Sequence, residues 1–556
     1  MILEFSFNYL SSSLIYEKII IRTLQDFALE SKMLRDKEKF FLYVEGSDDE
    51  LEAFAQKLSQ ELPHSIFLYA TDARVVDEMP EEEGLVLVRE LKLSMPFCPK
   101  CLAEVMDERG ENYYNIFHEC EVCGYDVDGQ SRSYKEELTQ IAKDISEGLS
   151  VGINTFYGKF SIGKIGKKCK SKNFDIISYD LGTIAQYTNA TNSEIAALGA
   201  IEKPLIKLKT NVKFKMDYED VTEELIRFKM PDDLLLHLLL CELNKLGINL
   251  VFITKEDIDS IKQFELVKGA KEQEPIEIVV GDNHLAIISG QKGLPYENLQ
   301  DSKALIPYIG AFFSVVKEHN LQEKTVVGIN ISKDYHNNIL VYSKKFGMIE
   351  YLSFAFKFDS VKDVFSAIIA SDESGKRLVE NFKNSNSEHF KEISSIVFQN
   401  EDFNIYKLWG IVAIVVGLTK EKKLSEAAKV IEENSTLFLG TKGPRIDYKV
   451  KRVDSKVYLD PLMCIRTAMS FKLAKIDDLT LSYGVVESFV EFLSSLADEI
   501  KDEMKSDAVV VAGSLLQNRS LFSKLAKEVS ANHNLYFNKE LPVDGRNILY
   551  GTNELL

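Results

Sequence analysis

Cys98-Pro99-Lys100-Cys101, an interval of eighteen residues, and then Cys120-Glu121-Val122-Cys123-Gly124 form the stretch from which the rest of the chain is read. Each Cys-x-x-Cys folds as a tight turn that presents two sulfurs to one ion. Two such turns can close a tetrahedral thiolate site, and zinc is the ion that this pattern predicts. One structural zinc is therefore expected on Cys98, Cys101, Cys120 and Cys123. The competing reading is a redox pair or a disulfide framework. Against it, Cys169, Cys241 and Cys464 are scattered, and the opening Met-Ile-Leu-Glu-Phe lacks the basic region of a secretory signal. A knuckle of roughly 35 residues is too short to hold a core without a staple, as chains below about 40 residues generally are.

Outward from the knuckle, the 556 residues predict about three or four domains of about 150 residues each. A hydrophobic content of 45% with 28% charged residues is that of a globular chain without long disorder. The net charge of −19 opposes a general hold on phosphate backbones, so the knuckle does not imply nucleic acid. The longest apolar runs, residues 234–241 and 409–418, fall short of the roughly 20 residues that span a bilayer. No membrane insertion is expected, and the cytoplasm is the expected compartment.

Residues 1–7 read as a strand, and Leu14, Ile15, Ile19, Leu24, Phe27 and Ala28 recur at helical spacing. Residues 40–45 read as a second strand. Ser47 and Glu50 form a capping box ahead of a stripe of Leu51, Phe54, Ala55, Leu58 and Leu62 that ends at Pro63, and residues 66–70 supply a third strand. This order predicts a ferredoxin-like sandwich. An acidic run (Glu78, Glu81, Glu82, Glu83) reads as a solvated linker into the knuckle.

After a helical segment ending at Gly148 comes a glycine-rich stretch (Gly152, Gly158, Gly163, Gly166) interleaved with Lys159, Lys164, Lys167, Lys168, Lys170 and Lys172. It matches neither the Walker nor the dinucleotide spacing, and reads either as an anion-facing loop or as a basic surface hairpin. His237, inside an apolar run, reads as a half-buried core histidine. Near the C-terminus a helix carrying Val485, Val486, Phe489, Val490, Leu493 and Leu496 leads into a buried strand at 508–511. That strand opens into Gly513-Ser514-Leu515-Leu516-Gln517-Asn518-Arg519, and Pro542-Val543-Asp544-Gly545-Arg546-Asn547 follows a further strand. Loops at the carboxyl ends of such strands are where ligands usually bind.

The knuckle, the ferredoxin-like start and the C-terminal Val-Ala-Gly-Ser-Leu-Leu-Gln-Asn-Arg and Pro-Val-Asp-Gly motifs resemble HypF, the carbamoyltransferase of nickel-iron hydrogenase maturation. The resemblance implies an α/β and α+β multidomain chain. Its parts would be an acylphosphatase-like domain with its linker at 1–92, a four-cysteine zinc knuckle at 93–130, a shortened YrdC-like α/β domain at 131–270 and an actin-like-fold, Kae-like transferase domain at 271–556. In that family the first domain releases carbamate from carbamoyl phosphate, the YrdC-like domain makes carbamoyl adenylate with ATP, and the last passes the carbamoyl group to a cysteine of HypE.

The departures from that pattern fall on the chemistry. The acylphosphatase phosphate loop reads Asn8-Tyr9-Leu10-Ser11-Ser12-Ser13, its arginine position is Glu17, and Asp36 follows a retained Arg35 where the family has its catalytic asparagine. A carboxylate at Glu17 repels a phosphate. One zinc knuckle stands where the family has two. Lys172-Asn173-Phe174 resembles a substrate-contacting Lys-Pro-Phe, but the later Ser-x-Asn signature is replaced around Thr254-Lys255-Glu256-Asp257. The metal-binding histidine cluster reads Pro307-Tyr308-Ile309-Gly310-Ala311, the phosphate-facing Asp-Gly turn has become Ser332-Lys333, and the family's Leu-Phe-Asp reads Leu408-Trp409-Gly410. Asp544 and Gly545 remain from an Asp-Gly-Gly metal turn.

The resemblance thus implies a HypF relative that kept the architecture and lost its catalytic groups, as in the divergent HypF-like proteins called HydE. It would be an accessory or scaffold protein that meets a HypE-like maturation factor or a hydrogenase subunit. The alternatives are an active carbamoyltransferase and a zinc-containing nucleotide-binding regulator. Lys159, Lys172, Gly513, Gln517, Asn518, Asp544 and Gly545 are the candidates for a residual nucleotide or anion site.

Overall fold

The computed structural model describes the chain except residues 12–13, 37–38, 82–95, 128, 156–157, 167–172, 257–261, 265–274, 282–283, 291–305, 399–402, 455 and 553–556. The chain divides into two units, Met1–Ile278 with Ser289–Glu297, and Val279–Ile288 with Asn298–Leu556.

The first unit opens with an antiparallel four-stranded sheet in the order Glu30–Asp36, Lys39–Glu45, Ile2–Tyr9, Leu68–Val76, with helices Ile15–Gln25 and Asp48–Glu61. This is the ferredoxin-like arrangement, with one strand more than the pattern predicts. Glu30–Asp36 escapes the apolar period because Met33 is its one buried apolar residue. The third expected strand also lies later, at Leu68–Val76, where seven consecutive residues are exposed and the alternation is lost. The Ser47 and Glu50 capping box forms as read, with Glu50 Oε2 accepting from the Ser47 backbone N–H at 2.9 Å.

The larger sheet of this unit places Lys262–Phe264, Val151–Thr155, Gly158–Lys164, Leu250–Thr254, Asp175–Ser178, Leu225–Lys229 and Leu205–Lys209 side by side. Glu277 and Ile278 of strand Glu277–Gly281 then pair parallel with Leu205 and Ile206. Helix Leu234–Lys245 is buried along nearly its whole length. His237 is a half-buried core residue, with its ring 5.4 Å from Phe97 and its pKa pushed down to about 4 by burial. Glu202, fully buried, ties the two sheets together by accepting from Ser65 Oγ at 2.5 Å and from the Ile66 N–H at 3.1 Å.

The second unit is built on a seven-stranded sheet in the order Lys449–Val453, Lys456–Asp460, Gly347–Ser353, Asn338–Ser343, Val326–Asn330, Ala508–Ala512, Leu535–Tyr536. Successive residues point to opposite faces, which gives the sheet two cores. Val327, Ile329, Val509 and Val511 join the large core with helices Ile405–Val416 and Asp478–Met504. Val326, Val510 and Ala512 join a smaller core with helix Pro307–Glu318. Strand Leu535–Tyr536 is only two residues long, so the strand expected before Pro542 is mostly loop.

Candidate functional site

Cys98 begins helix Pro99–Met106, and Cys101 sits in its first turn. The second turn closes as Gly124 donates to the Cys120 carbonyl at 2.9 Å, with Gly124 at a φ of 69° that a side chain would resist. The Sγ separations are 3.7 Å for Cys98 and Cys101, 3.8 Å for Cys98 and Cys120, and 3.5 Å for Cys101 and Cys123. A tetrahedral ion with bonds of about 2.3 Å needs sulfurs about 3.8 Å apart, so the four thiolates fit one metal. They form the only such cluster among the described residues. Within the first unit the knuckle is tied to helix Leu234–Lys245. Tyr114 donates to Glu242 at 2.5 Å, and Tyr125 accepts from the Leu234 N–H at 3.2 Å.

In the ferredoxin-like part, Glu17 lies fully buried in the first turn of its helix and faces Arg35 in an ion pair. Arg35 also donates to the Ser11 carbonyl and stacks 5.8 Å over the Tyr9 ring. Burial pushes the Glu17 carboxyl up, while Arg35 pulls it down. The cation that would meet a phosphate is thus already matched by a carboxylate. Asp36 ends the strand Glu30–Asp36, and its side chain lies outside the described residues.

The larger sheet of the first unit borders a cavity of about 450 Å³ lined by Phe160, Asp175, Arg227, Lys229, Thr254 and Lys255, among others. Arg227 donates to Asp175 at 2.6 Å and meets Glu277 at 3.5 Å, and buried Lys229 meets buried Asp232 at 3.0 Å. Lys255 stands 6.0 Å over the Phe160 ring. Thr254 donates to the Asn173 carbonyl at 2.8 Å, so the replaced Ser-x-Asn segment does border this cavity. Lys172 and Asp257 lie outside the described residues. Within the glycine-rich stretch, strands Val151–Thr155 and Gly158–Lys164 pair antiparallel inside the larger sheet with Lys159 exposed, while Lys167, Lys168, Lys170 and Lys172 lie outside the described residues.

In the second unit, the loops after the parallel strands Val326–Asn330 and Ala508–Ala512 meet at their carboxyl ends. Gly513 makes this possible, for a Cβ there would fall 2.3 Å from the Ile331 carbonyl oxygen. Ser332 Oγ donates to Asp544 at 3.0 Å and lies 3.1 Å from Ser514 Oγ, and the Gly545 N–H donates to Asp544 at 2.8 Å. Burial raises the Asp544 pKa, and these donors lower it. Lys333 donates to both oxygens of Glu432 at 2.8 Å and to Gln517 at 3.2 Å. Asn518 caps helix Arg519–Ser530 and donates to the Glu432 carbonyl at 3.1 Å. Asn337 and Asn404 hold the loop by donating to the Ser332 carbonyl at 3.0 and 3.2 Å.

The metal that the family resemblance implies here does not fit. Gly310 stands on helix Pro307–Glu318 where the histidine cluster would be, and helix Arg546–Thr552 packs directly on it. A Cβ on Gly310 would lie 2.4 Å from the Ile548 carbonyl oxygen, and one on Gly551 would lie 1.9 Å from the Gly310 oxygen. Backbone fills the space an imidazole needs. Tyr308, the one side chain of that segment able to ligate, packs 5.4 Å from the His336 ring.

Of the candidates for a nucleotide or anion site, Gly513, Gln517, Asn518, Asp544 and Gly545 come together in the second unit, whereas Lys159 belongs to the first. Glu432, Asn337 and Asn404 were not legible as site residues. They sit 99, 5 and 72 residues from the positions they bond, and only the cap position of Asn404 carries a local signal.

Residues 407–551 match the model of the second subdomain of the carbamoyltransferase Kae1-like domain. The chain is 23% identical over 555 residues to Protein HydE of Wolinella succinogenes, covering 98% of this chain and 99% of that one. It superposes on a full-length HypF in the phosphate- and nucleotide-bound form with a TM-score of 0.62 at 15% identity, covering 100% of this chain and 98% of that one. HypF of T. kodakarensis gives 0.68 at 11% identity, with 99% and 97% covered. The chain thus has the fold of the full-length HypF structures, and its residues 407–551 are similar to the second subdomain of the carbamoyltransferase Kae1-like domain.

Proposed function

We propose that this protein is a HypF-like accessory protein of nickel-iron hydrogenase maturation that acts by binding, with one structural zinc on Cys98, Cys101, Cys120 and Cys123. The observation that carries the reading is that charged groups of each cleft are closed on one another: Glu17 with Arg35, Arg227 with Asp175 and Glu277, and Lys333 with Glu432. Phosphoryl and adenylyl transfer need positive charge aimed at the group in transit, and a guanidinium or ammonium already paired in the ground state offers little. A fold retained without those groups is retained for its surfaces. The partner is a HypE-like maturation factor or a hydrogenase subunit, and the four-part division at 92, 130 and 270 belongs to the same reading.

The test has two arms. Purified protein given ATP and carbamoyl phosphate forms no AMP above a blank, and AMP formation dependent on carbamoyl phosphate would return the chain to the active carbamoyltransferases. In a deletion strain with lowered hydrogenase activity, Asp544→Ala complements as well as wild type. If that variant is folded and abundant yet behaves as the deletion, the cleft is in use. One observation favours the nucleotide-regulator alternative: the cavity of about 450 Å³ keeps Lys255 on its wall. Nucleotide binding to that cavity without turnover would decide for it.

A further inference from the structure

The seven-stranded sheet of the second unit ends in a hairpin arm, Lys449–Val453 antiparallel to Lys456–Asp460, which joins the sheet where Tyr458 pairs with Ser353. All five residues of Lys449–Val453 are exposed, and no strand flanks its outer edge among the described residues. The inner strand is anchored through Leu459 in the large core, whereas the open outer edge of Lys449–Val453 presents unpaired N–H and C=O groups.

The arm also carries the opposite charge from the chain as a whole. Residues 442–456 hold Lys442, Arg445, Lys449, Lys451, Arg452 and Lys456 against Asp447 and Asp454, on a chain whose net charge is −19. The register sets Lys449, Lys451 and Val453 on one face and Val450 and Arg452 on the other, with Val450 44% and Val453 48% exposed. Lysine on an edge strand guards against pairing between copies, because a second copy brings the same cations. An edge built this way is closed to itself and open to a strand of opposite charge.

We propose that the Lys449–Val453 edge is a docking strand that takes an extended acidic segment of a partner protein. The main chain supplies hydrogen bonds, carboxylates on one face of the segment meet Lys449 and Lys451, and apolar side chains on its other face cover Val450, while Arg452 adds to the positive field of the edge. This deepens the binding reading above and rests on it. A nucleic acid would meet the same cations, but it would leave Val450 and the backbone edge unused, and the acidic remainder of the chain would repel it.

The test uses full-length protein and a fluorescein-labelled, ten-residue peptide of alternating Glu and Val, followed by anisotropy. Binding is expected to saturate, to weaken on raising the salt, and to weaken about 10-fold or more in the variant Lys449→Glu/Lys451→Glu/Arg452→Glu. A peptide N-methylated at alternate residues, unable to pair along one edge, should bind less well than the parent. Amide exchange in residues 449–453 should slow on binding. The charge-reversed variant should unfold cooperatively at the wild-type midpoint, since the strand is exposed. Equal affinity of both proteins, unchanged exchange, tighter binding of a ten-nucleotide oligo-dT, or an arm-dependent dimer of the free protein would each overturn the proposal. The ATP turnover assay stands apart from these measurements, so failure of the arm and failure of the binding reading remain distinguishable.

Discussion

Lys333 donates to both carboxylate oxygens of Glu432, each at 2.8 Å, and lies 5.2 Å over the ring of Tyr406, which itself donates to Glu432 at 3.2 Å. The pair ties the loop after strand Val326–Asn330 to helix Leu424–Leu437. The two side chains are 19% and 15% exposed, so the attraction is screened less than on an open surface. The cleft at the carboxyl ends of the two parallel strands is thus spanned by a cation and an anion of the protein itself.

Lys333→Met should therefore destabilise the second unit by about 3 kcal/mol, because it leaves a largely buried Glu432 without its partner. The double variant Lys333→Met/Glu432→Leu should recover much of the loss, since neither charge is then stranded. Urea unfolding followed by the fluorescence of Trp409, the one tryptophan of the chain, reads the effect. Equal midpoints for wild type and the single variant would show that the pair contributes nothing.

Protein purified without chelator should contain one zinc per chain, and Cys120→Ser should lose it. The knuckle is also held by the Tyr114 bond to Glu242 and the Tyr125 bond to the Leu234 N–H, so metal loss should raise amide exchange first in residues 98–127. The second unit should unfold as before. Elemental analysis without zinc, or retention of the metal by the variant, would contradict this.

What the sequence made legible was local: the knuckle turns, the Ser47 and Glu50 box, and the helix that carries the stripe from Val485 to Leu496. Each has its signal within about one helical turn or one apolar stripe. Strand Glu30–Asp36 was missed because only one face of a polar edge strand touches the core. The internal closure of the clefts was beyond reach for a different reason. Glu17 read as a carboxylate set against phosphate, but only the fold brings Arg35, 18 residues away, to neutralise it. Gly310 read as a lost ligand, while the reason a ligand cannot return is the backbone of helix Arg546–Thr552.

The first 80 residues should show no acylphosphatase activity in the full protein, since Arg35 is held by Glu17 and the Ser11 carbonyl. Arg35→Ala should cost more stability than Glu17→Gln. The former strands a fully buried carboxylate whose Oε2 already lacks a hydrogen bond among the described residues, and the latter leaves a guanidinium that still reaches solvent. Thermal unfolding of the two variants reads the order, and hydrolysis of an acyl phosphate above a buffer blank would refute the first claim.

Glu318 supplies a pH dependence with a definite sign. The residue is half-buried overall, but its carboxyl end turns inward, accepting from the Lys539 N–H at 2.5 Å and from Asn538 at 3.2 Å, with Oε1 buried and unbonded among the described residues. Burial pushes its pKa up to about 8 from 4.5. Below the lower value both the folded and unfolded chains hold the proton, and Glu318 leaves stability unchanged. As the pH climbs between the two values the unfolded chain ionises first, so stability falls, and above the higher value the loss is complete. Glu318→Gln cannot ionise, so its stability should fall less between pH 5 and pH 8 than that of wild type, by a few kcal/mol on the scale of about 1.4 kcal/mol per pKa unit. Denaturant midpoints at the two pH values give the comparison, and parallel losses in the two proteins would show that Glu318 stays ionised in the fold.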